Sequence, residues 1–279
     1  MRVRSSGPGF FYCGLALGFV LIACQPVKQG DLEAARKLLG SGDYPQALKA
    51  FQVIFSRNPQ EPEAAEALYW VGNINYLYLD KPEAAQESFG EFLLNYPQHP
   101  HSQDVRLKVA TLYADTLGNP LAAIPKYQDV IDFGPQTPEA ALAQLGIITS
   151  YEKLGNRQQV ITEVGIMLRN YGKSRFADRA QLLLAENYVA LERYPEALQS
   201  YADLLQRYPQ SDLRSSAKFG RAMALEDMGK GVEALAAYRE VLPDYPNPDL
   251  VERRISRLEE QTKPDPPKAR KPLKTEQKL

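Results

Sequence analysis

Apolar side chains recur along this chain with two nested periods. Within short stretches they fall three and four residues apart, the spacing of one helical face. Over the whole chain the same stretch returns at a nearly fixed interval. A small residue stands at Ala47, Ala85, Ala123, Val160, Ala197 and Ala234, at intervals of 38, 38, 37, 37 and 37. Four residues after each comes a large side chain: Phe51, Phe89, Tyr127, Val164, Tyr201 and Tyr238. Seven and eight residues after it stand two more, from Ile54 and Phe55 in the first set to Val241 and Leu242 in the last. All eighteen of these larger positions are apolar or tyrosine. Nine residues before the small column runs another: Leu38, Tyr76, Ala114, Tyr151, Tyr188 and Leu225. Each period therefore predicts two helices, A and then B, and the small column lets B approach A closely.

The punctuation between these stretches agrees. Turns fall at Gly42-Asp43, Asp80-Lys81, Gly118-Asn119, Gly155-Asn156, Glu192-Arg193 and Gly229-Lys230. Glycine and asparagine tolerate positive φ, and a following proline presets the next helix. Helix B stops at Asn58-Pro59, Tyr96-Pro97, Gly134-Pro135, Tyr208-Pro209 and Tyr245-Pro246, and at Tyr171-Gly172. Ser102, Thr137, Ser174 and Ser211 are the expected caps of the next A helices. Leu250 to Gln261 reads as a closing helix. Self-similarity at this period marks a repeat array. The expectation is an all-α solenoid of about six helix-turn-helix repeats over residues 31–261, ended by a C-terminal capping helix. Such an array builds a long surface rather than a pocket, which favours a partner-binding scaffold.

The ends differ from the body. Arg2 and Arg4 precede an almost unbroken apolar run from Phe10 to Ala23. The run is too short for a membrane-spanning helix, which needs about 20 residues, so it reads as the core of an export signal over residues 1–23. It closes on Leu21-Ile22-Ala23-Cys24, which resembles the bacterial lipobox. That resemblance implies cleavage before Cys24 and lipid attachment to its thiol, with residues 24–30 as a tether. Gln25, rather than aspartate, favours the outer membrane, facing the periplasm. Cys13 leaves with the signal, so neither a disulfide nor thiol chemistry is expected. Residues 262–279 read as a disordered basic tail, rich in Pro and Lys. It suits anionic headgroups, peptidoglycan or an acidic partner, or serves only as a solubilising end. Residues 24–262 hold 25 basic and 32 acidic side chains. An acidic body argues against nucleic acid, which calls for a clustered basic face.

Catalytic chemistry is not legible. His99 and His101, two residues apart in a loop, have no cysteine or acid cluster beside them and make weak metal ligands. No nucleophile elbow, phosphate loop or zinc motif appears. The chain reads as a non-enzyme with no cofactor, no metal and no small-molecule substrate.

The repeat resembles the tetratricopeptide repeat. Leu184-Ala185, Tyr188, Ala197, Tyr201 and Pro209 carry the likeness best, which spans residues 31–246. That family's unit is about 34 residues long, so the extra residues here are expected in the loop after the Tyr-Pro stop. The resemblance implies a concave surface lined by helix A. Six positions before the helix-A column it gives Leu32, Trp70, Lys108, Leu145, Leu182 and Phe219. Two before, it gives Arg36, Ile74, Leu112, Thr149, Glu186 and Met223. Trp70, Lys108 and Phe219 are the candidate groove residues for an extended or helical protein segment; packing between repeats is the other reading of Trp70. The lipobox, long repeats, Tyr-Pro stops and the stretch Val164–Tyr171 together resemble BamD-like outer-membrane assembly lipoproteins. Pilotin-like secretin-assembly lipoproteins and Tol-Pal-linked coordinators are similar in build. A peptidoglycan-associated spacer is a third reading, and it would use the tail.

Overall fold

The computed structural model describes residues 29–262, all in helices and short connections. The signal segment, Cys24, residues 24–28 of the tether and the tail beyond Thr262 lie outside the described residues. Two compact units meet in sequence between Val71 and Gly72. Repeat 1 pairs α1 (Gln29–Gly40) with α2 (Tyr44–Arg57), and repeat 2 pairs α3 (Pro62–Leu77) with α4 (Pro82–Asn95). Repeat 3 is α5 (Ser102–Thr111), a π-turn (Leu112–Thr116) and α6 (Pro120–Phe133). Repeat 4 is α7 (Pro138–Lys153) and α8 (Arg157–Tyr171); repeat 5 is α9 (Ala177–Ala190) and α10 (Tyr194–Arg207). Repeat 6 is α11 (Arg214–Asp227) and α12 (Gly231–Val241), and α13 (Pro248–Thr262) caps the array.

The periodic columns are the packed interior. No residue of the small column, nor of the columns four and seven later, is more than 5% exposed. The column eight later is half-buried in every repeat. In the C-terminal unit each core joins both helices of one repeat to helix A of the next. Ala123, Tyr127 and Val130 pack with Ala143 and Ile147. Val160, Val164 and Met167 pack with Ala180 and Leu183. Ala197, Tyr201 and Leu204 pack with Ala217 and Ala224. In the last core α13 stands where a seventh helix A would, burying Val251 and Leu258 against Ala234, Tyr238 and Val241. Glu226 ties it there. Its carboxylate accepts from Tyr238 Oη at 2.7 Å, from Arg254 at 3.2 Å and from Arg257. Burial pushes the Tyr238 phenol up to about 12.

Five residues before the small column every repeat turns left-handed. The residues are Gly42, Asp80, Gly118, Gly155, Glu192 and Gly229, with φ between 51° and 82°. At Asp80 and Glu192 a non-glycine residue occupies a region that costs a β-carbon about 1–2 kcal/mol. The next helix is capped by an Asx side chain in three repeats: Asp43 accepts from Gln46 N, Asn119 from Ala122 N and Asn156 from Gln159 N.

Several expectations need correction. Of the four proposed caps only Thr137 caps a helix, accepting from Ala140 N at 3.2 Å. Ser102 is the first helical residue and donates to Tyr96 O. Ser211 instead closes a short loop by accepting from Leu213 N, and Ser174 precedes its helix by three residues. Helix α12 ends at Val241, ahead of the Tyr245-Pro246 stop, because Pro243 has no N–H to donate; a 3₁₀ turn follows. The Tyr of the stop also does more than end a helix. Tyr171 Oη donates to Pro135 O at 3.0 Å and Tyr208 Oη to Gly172 O at 3.2 Å, each reaching the stop loop of the preceding repeat.

The additional residue of repeats 2 and 3 is not in the loop after helix B. In repeats 1, 4, 5 and 6 the amide after the left-handed residue donates to the carbonyl five back, as from Asp43 to Leu38 and from Asn156 to Tyr151. In repeats 2 and 3 it reaches six back, from Lys81 to Asn75 and from Asn119 to Tyr113. The intervening turns widen, with Leu79 N on Ile74 O at 3.1 Å and Leu117 N on Leu112 O at 2.9 Å. The corresponding bond spans only four residues at Leu154, Leu191 and Met228, onto Ser150, Asn187 and Ala224. The five acceptors, Ile74, Leu112, Ser150, Asn187 and Ala224, stand at one constant spacing from Ala47, Ala85, Ala123, Val160 and Ala197 of the preceding repeats. The stretch from each small column to the matching point of the next helix A therefore has constant length. The extra residue is absorbed by a wide turn at the end of helix A, and Tyr113 rather than Ala114 holds the place of Tyr151 and Tyr188.

Candidate functional site

The wide turns decide which side chains face outward on helix A. Ahead of such a turn, a residue counted back from its own small column is one position out of phase, about 100° around the helix. Two residues before the helix-A column, Thr149 and Met223 are partly exposed and Glu186 is exposed, whereas Leu112 is fully buried. The place of Thr149 is taken in repeat 3 by Thr111, which bonds the Tyr127 hydroxyl. The longer interval between Ala85 and Ala123 was the signal in the sequence that could have located it.

The three candidate groove residues fall in different environments. Phe219 is 9% exposed, stacked on Tyr245 with ring centres 4.5 Å apart and edge-on to Tyr238 at 5.6 Å. It is a core residue of the capping junction, which corrects its reading as a groove anchor. Lys108, half-buried, pairs with Asp104 one turn earlier on α5. In the N-terminal unit Trp70 stacks on Phe51 at 6.3 Å and donates Nε1 to Glu66 at 3.4 Å. Counted from the preceding small column, the positions that match Trp70 in later repeats are Lys108, Gly146, Leu183 and Gly220, and two of the four are glycine. At Gly146 and Gly220, Tyr127 and Tyr201 of the preceding repeat lie so close that a Cβ would sit 2.4 Å from them. Trp70 thus fills an inter-repeat packing place, with Phe51 as its column partner.

What remains on the A face of the C-terminal unit is a mixed strip: Leu145, Thr149 and Glu152 on α7, Arg179 and Glu186 on α9, and Met223 on α11. Glu186 is its most informative member. Its side chain is accessible to solvent, yet the protein around it desolvates the carboxyl and raises its pKa, and Glu152 adds to the rise. Arg179 opposes the shift. Burial raises the Tyr201 phenol too, with the Glu186 charge contributing. Because its folded pKa is raised, Glu186 weakens the fold as pH climbs through the interval between its unfolded and folded values. Glu186→Gln is expected to melt above the parent at pH 7 and with it near pH 4. Thermal melts at the two pH values check this.

This strip supplies hydrogen bonds, charge and apolar area, but no nucleophile with a base beside it. Among the described residues no group of three His, Cys, Asp or Glu is placed to hold a metal. His99 serves its own loop, accepting from His101 N at 3.2 Å and packing edge-on to Phe92 at 5.5 Å. Among the described residues no helix is long and apolar enough to cross a membrane.

Known proteins place this architecture. A solved tetratricopeptide repeat protein from Parabacteroides merdae is 21% identical, with a TM-score of 0.56 over 83% of this chain and 86% of its own. PilW, a type IV pilus biogenesis factor, is 16% identical, with a TM-score of 0.52 over 81% of this chain and all of its own. YrrB, a TPR protein with an unusual peptide-binding site, is 16% identical, with a TM-score of 0.51 over 70% and 92%. No curated protein matches the sequence. Two sequence models of the tetratricopeptide repeat match, one at residues 32–77 and 169–247 and the other at 66–99. Over residues 32–99 and 169–247, about half of its length, the chain belongs to the tetratricopeptide-repeat family.

Proposed function

We propose that this protein is a lipid-anchored scaffold of the bacterial cell envelope, tethered through Cys24 and binding protein partners along its helix-A face. The observation that carries the binding part is the A-face strip of the C-terminal unit, where Leu145, Thr149 and Met223 are partly exposed beside the solvent-accessible Glu186, whose carboxyl the surrounding protein desolvates. Polar groups set among apolar ones fix the orientation of a bound segment. The anchor rests on the charged start, the apolar run from Phe10 to Ala23 and the lipobox. The long repeats, the Tyr-Pro stops and the stretch Val164–Tyr171 favour a BamD-like part in outer-membrane protein assembly. A pilotin-like role in secretin or pilus assembly is the second reading. Its support is the count of six repeats and the full-length coverage of PilW's fold.

The anchor is tested by metabolic labelling with an alkyne fatty acid. Label in the parent and none in Cys24→Ser is the expected result, and an unlabelled parent overturns it. A photo-crosslinking residue at 149, 186 or 223 tests the face. Crosslinks to barrel-assembly subunits support the first reading, and crosslinks to a secretin the second. Tol-Pal components, or sacculus binding lost on deleting residues 263–279, would replace both.

A further inference from the structure

A recess lies where the stop loops of repeats 3, 4 and 5 come together. Its volume is about 810 Å³, within the range of about 300–1,000 Å³ typical of ligand pockets. Four cationic side chains line it: Arg169 at the end of α8, Lys173 and Arg175 in the following loop, and Arg207 at the end of α10. No acidic side chain lines it. All four are exposed, and none forms an ion pair among the described residues. Elsewhere in the same unit several cations are answered by acids, as Arg106 is by Asp129, Lys153 by Asp115 and Arg239 by Glu259. An unanswered cluster is the more notable because the body carries an excess of acid.

The rest of the wall mixes neutral polar side chains, Gln136, Thr137, Asn170 and Ser174, with apolar ones. Leu168 and Phe176 contribute apolar surface, and Arg175 lies over the Phe176 ring at 4.8 Å. Tyr171 and Tyr208 also line the recess, and both hydroxyls are engaged by carbonyls of the preceding stop loop. The bonds that staple the repeats therefore hold the recess open in one shape, which lowers the ordering cost of binding.

We propose that this recess is a docking site for an acidic, extended peptide segment of a partner protein, with carboxylates alternating with apolar side chains. Charge complementarity selects the sign. The apolar part of the wall, Leu168, Phe176, Pro138 and Ala141, favours a peptide over a free anion, and the cations are spread over two helix ends and a loop, which matches charges strung along a chain. The site does not depend on the helix-A face or on the membrane anchor.

The test uses the full-length protein and a fluorescein-labelled peptide of alternating glutamate and leucine, followed by anisotropy. Saturable binding is expected, weakening as salt rises. Joint Arg169→Glu, Lys173→Glu and Arg175→Glu should weaken it at least about tenfold. Arg157→Glu with Arg253→Glu, exposed cations elsewhere, should change it less than about twofold. Lys173→Ala with Arg175→Ala, a milder pair, should give an intermediate loss and guards against misfolding of the triple variant. Absence of saturable binding, or equal loss in the control variant, overturns the proposal. So does equal competition by inorganic phosphate or by phosphatidylglycerol vesicles, which would make the recess a general anion or lipid site.

Discussion

Tyr201→Ala is expected to remove about 3–5 kcal/mol of stability, the cost of truncating a buried aromatic side chain. Tyr201 is 3% exposed and shares one core with Leu182, Leu204 and Ala217. Its ring lies over Gly220 of the next repeat, where a Cβ would sit 2.4 Å from the phenolic oxygen. Truncation therefore opens a hole on a junction between two repeats, with no neighbouring side chain at Gly220 to fill it. The melting midpoint should fall on the order of 10 °C. Leu191→Ala, at an exposed leucine, should stay within about 0.5 kcal/mol of the parent. Urea and thermal denaturation of the two variants check the pair. A Tyr201→Ala protein that melts with the parent would falsify the repeat register.

The second large effect is a contrast between two deletions. Thr116 and Ala190 are both exposed and both stand seven residues before the small column of their repeat. Thr116 lies in the π-turn, and Ala190 ends a regular helix. Deleting Thr116 lets the wide turn relax to an α-turn and sets Tyr113 nine residues before Ala123, as Tyr151 and Tyr188 already stand before Val160 and Ala197. The buried face of α5 keeps its place, so the change should stay within about 1 kcal/mol. Deleting Ala190 leaves no slack. Either Leu182, Leu183 and Ala185 rotate about 100° out of their cores, or the turn at Glu192 breaks. The expected loss is at least about 3 kcal/mol. Equal losses in the two deletions would refute the wide-turn account.

Most of the fold could be read from the sequence because burial imposes periodicity. The small column and the columns four and seven later are interior in all six repeats, and an interior position tolerates few side chains. The A face could not be read in the same way. A count made back from each repeat's own small column is thrown off by a bulge that has no composition signature of its own. Trp70, Lys108 and Phe219 share a count but not an environment, and Phe219 belongs to the core. Glu186 stood at a predicted face position, but an acidic residue in sequence does not reveal that the protein around it is dense enough to desolvate it. The basic recess was hidden for a related reason. Arg169 and Arg207 belong to successive repeats, and only folding brings them to one wall.

The constant spacing from one small column to the next helix A has a further consequence. It separates two kinds of length. The stretch that sets how one repeat meets the next admits no change, while the hinge between the two helices of a repeat takes an additional residue without disturbing either neighbour. In repeat 3 that hinge already acts as an expansion joint, and the hinges of repeats 4 to 6 stand at the equivalent place. They are the places where the chain should accept an inserted tag, a reporter or a cysteine for labelling, with the cores on both sides left intact.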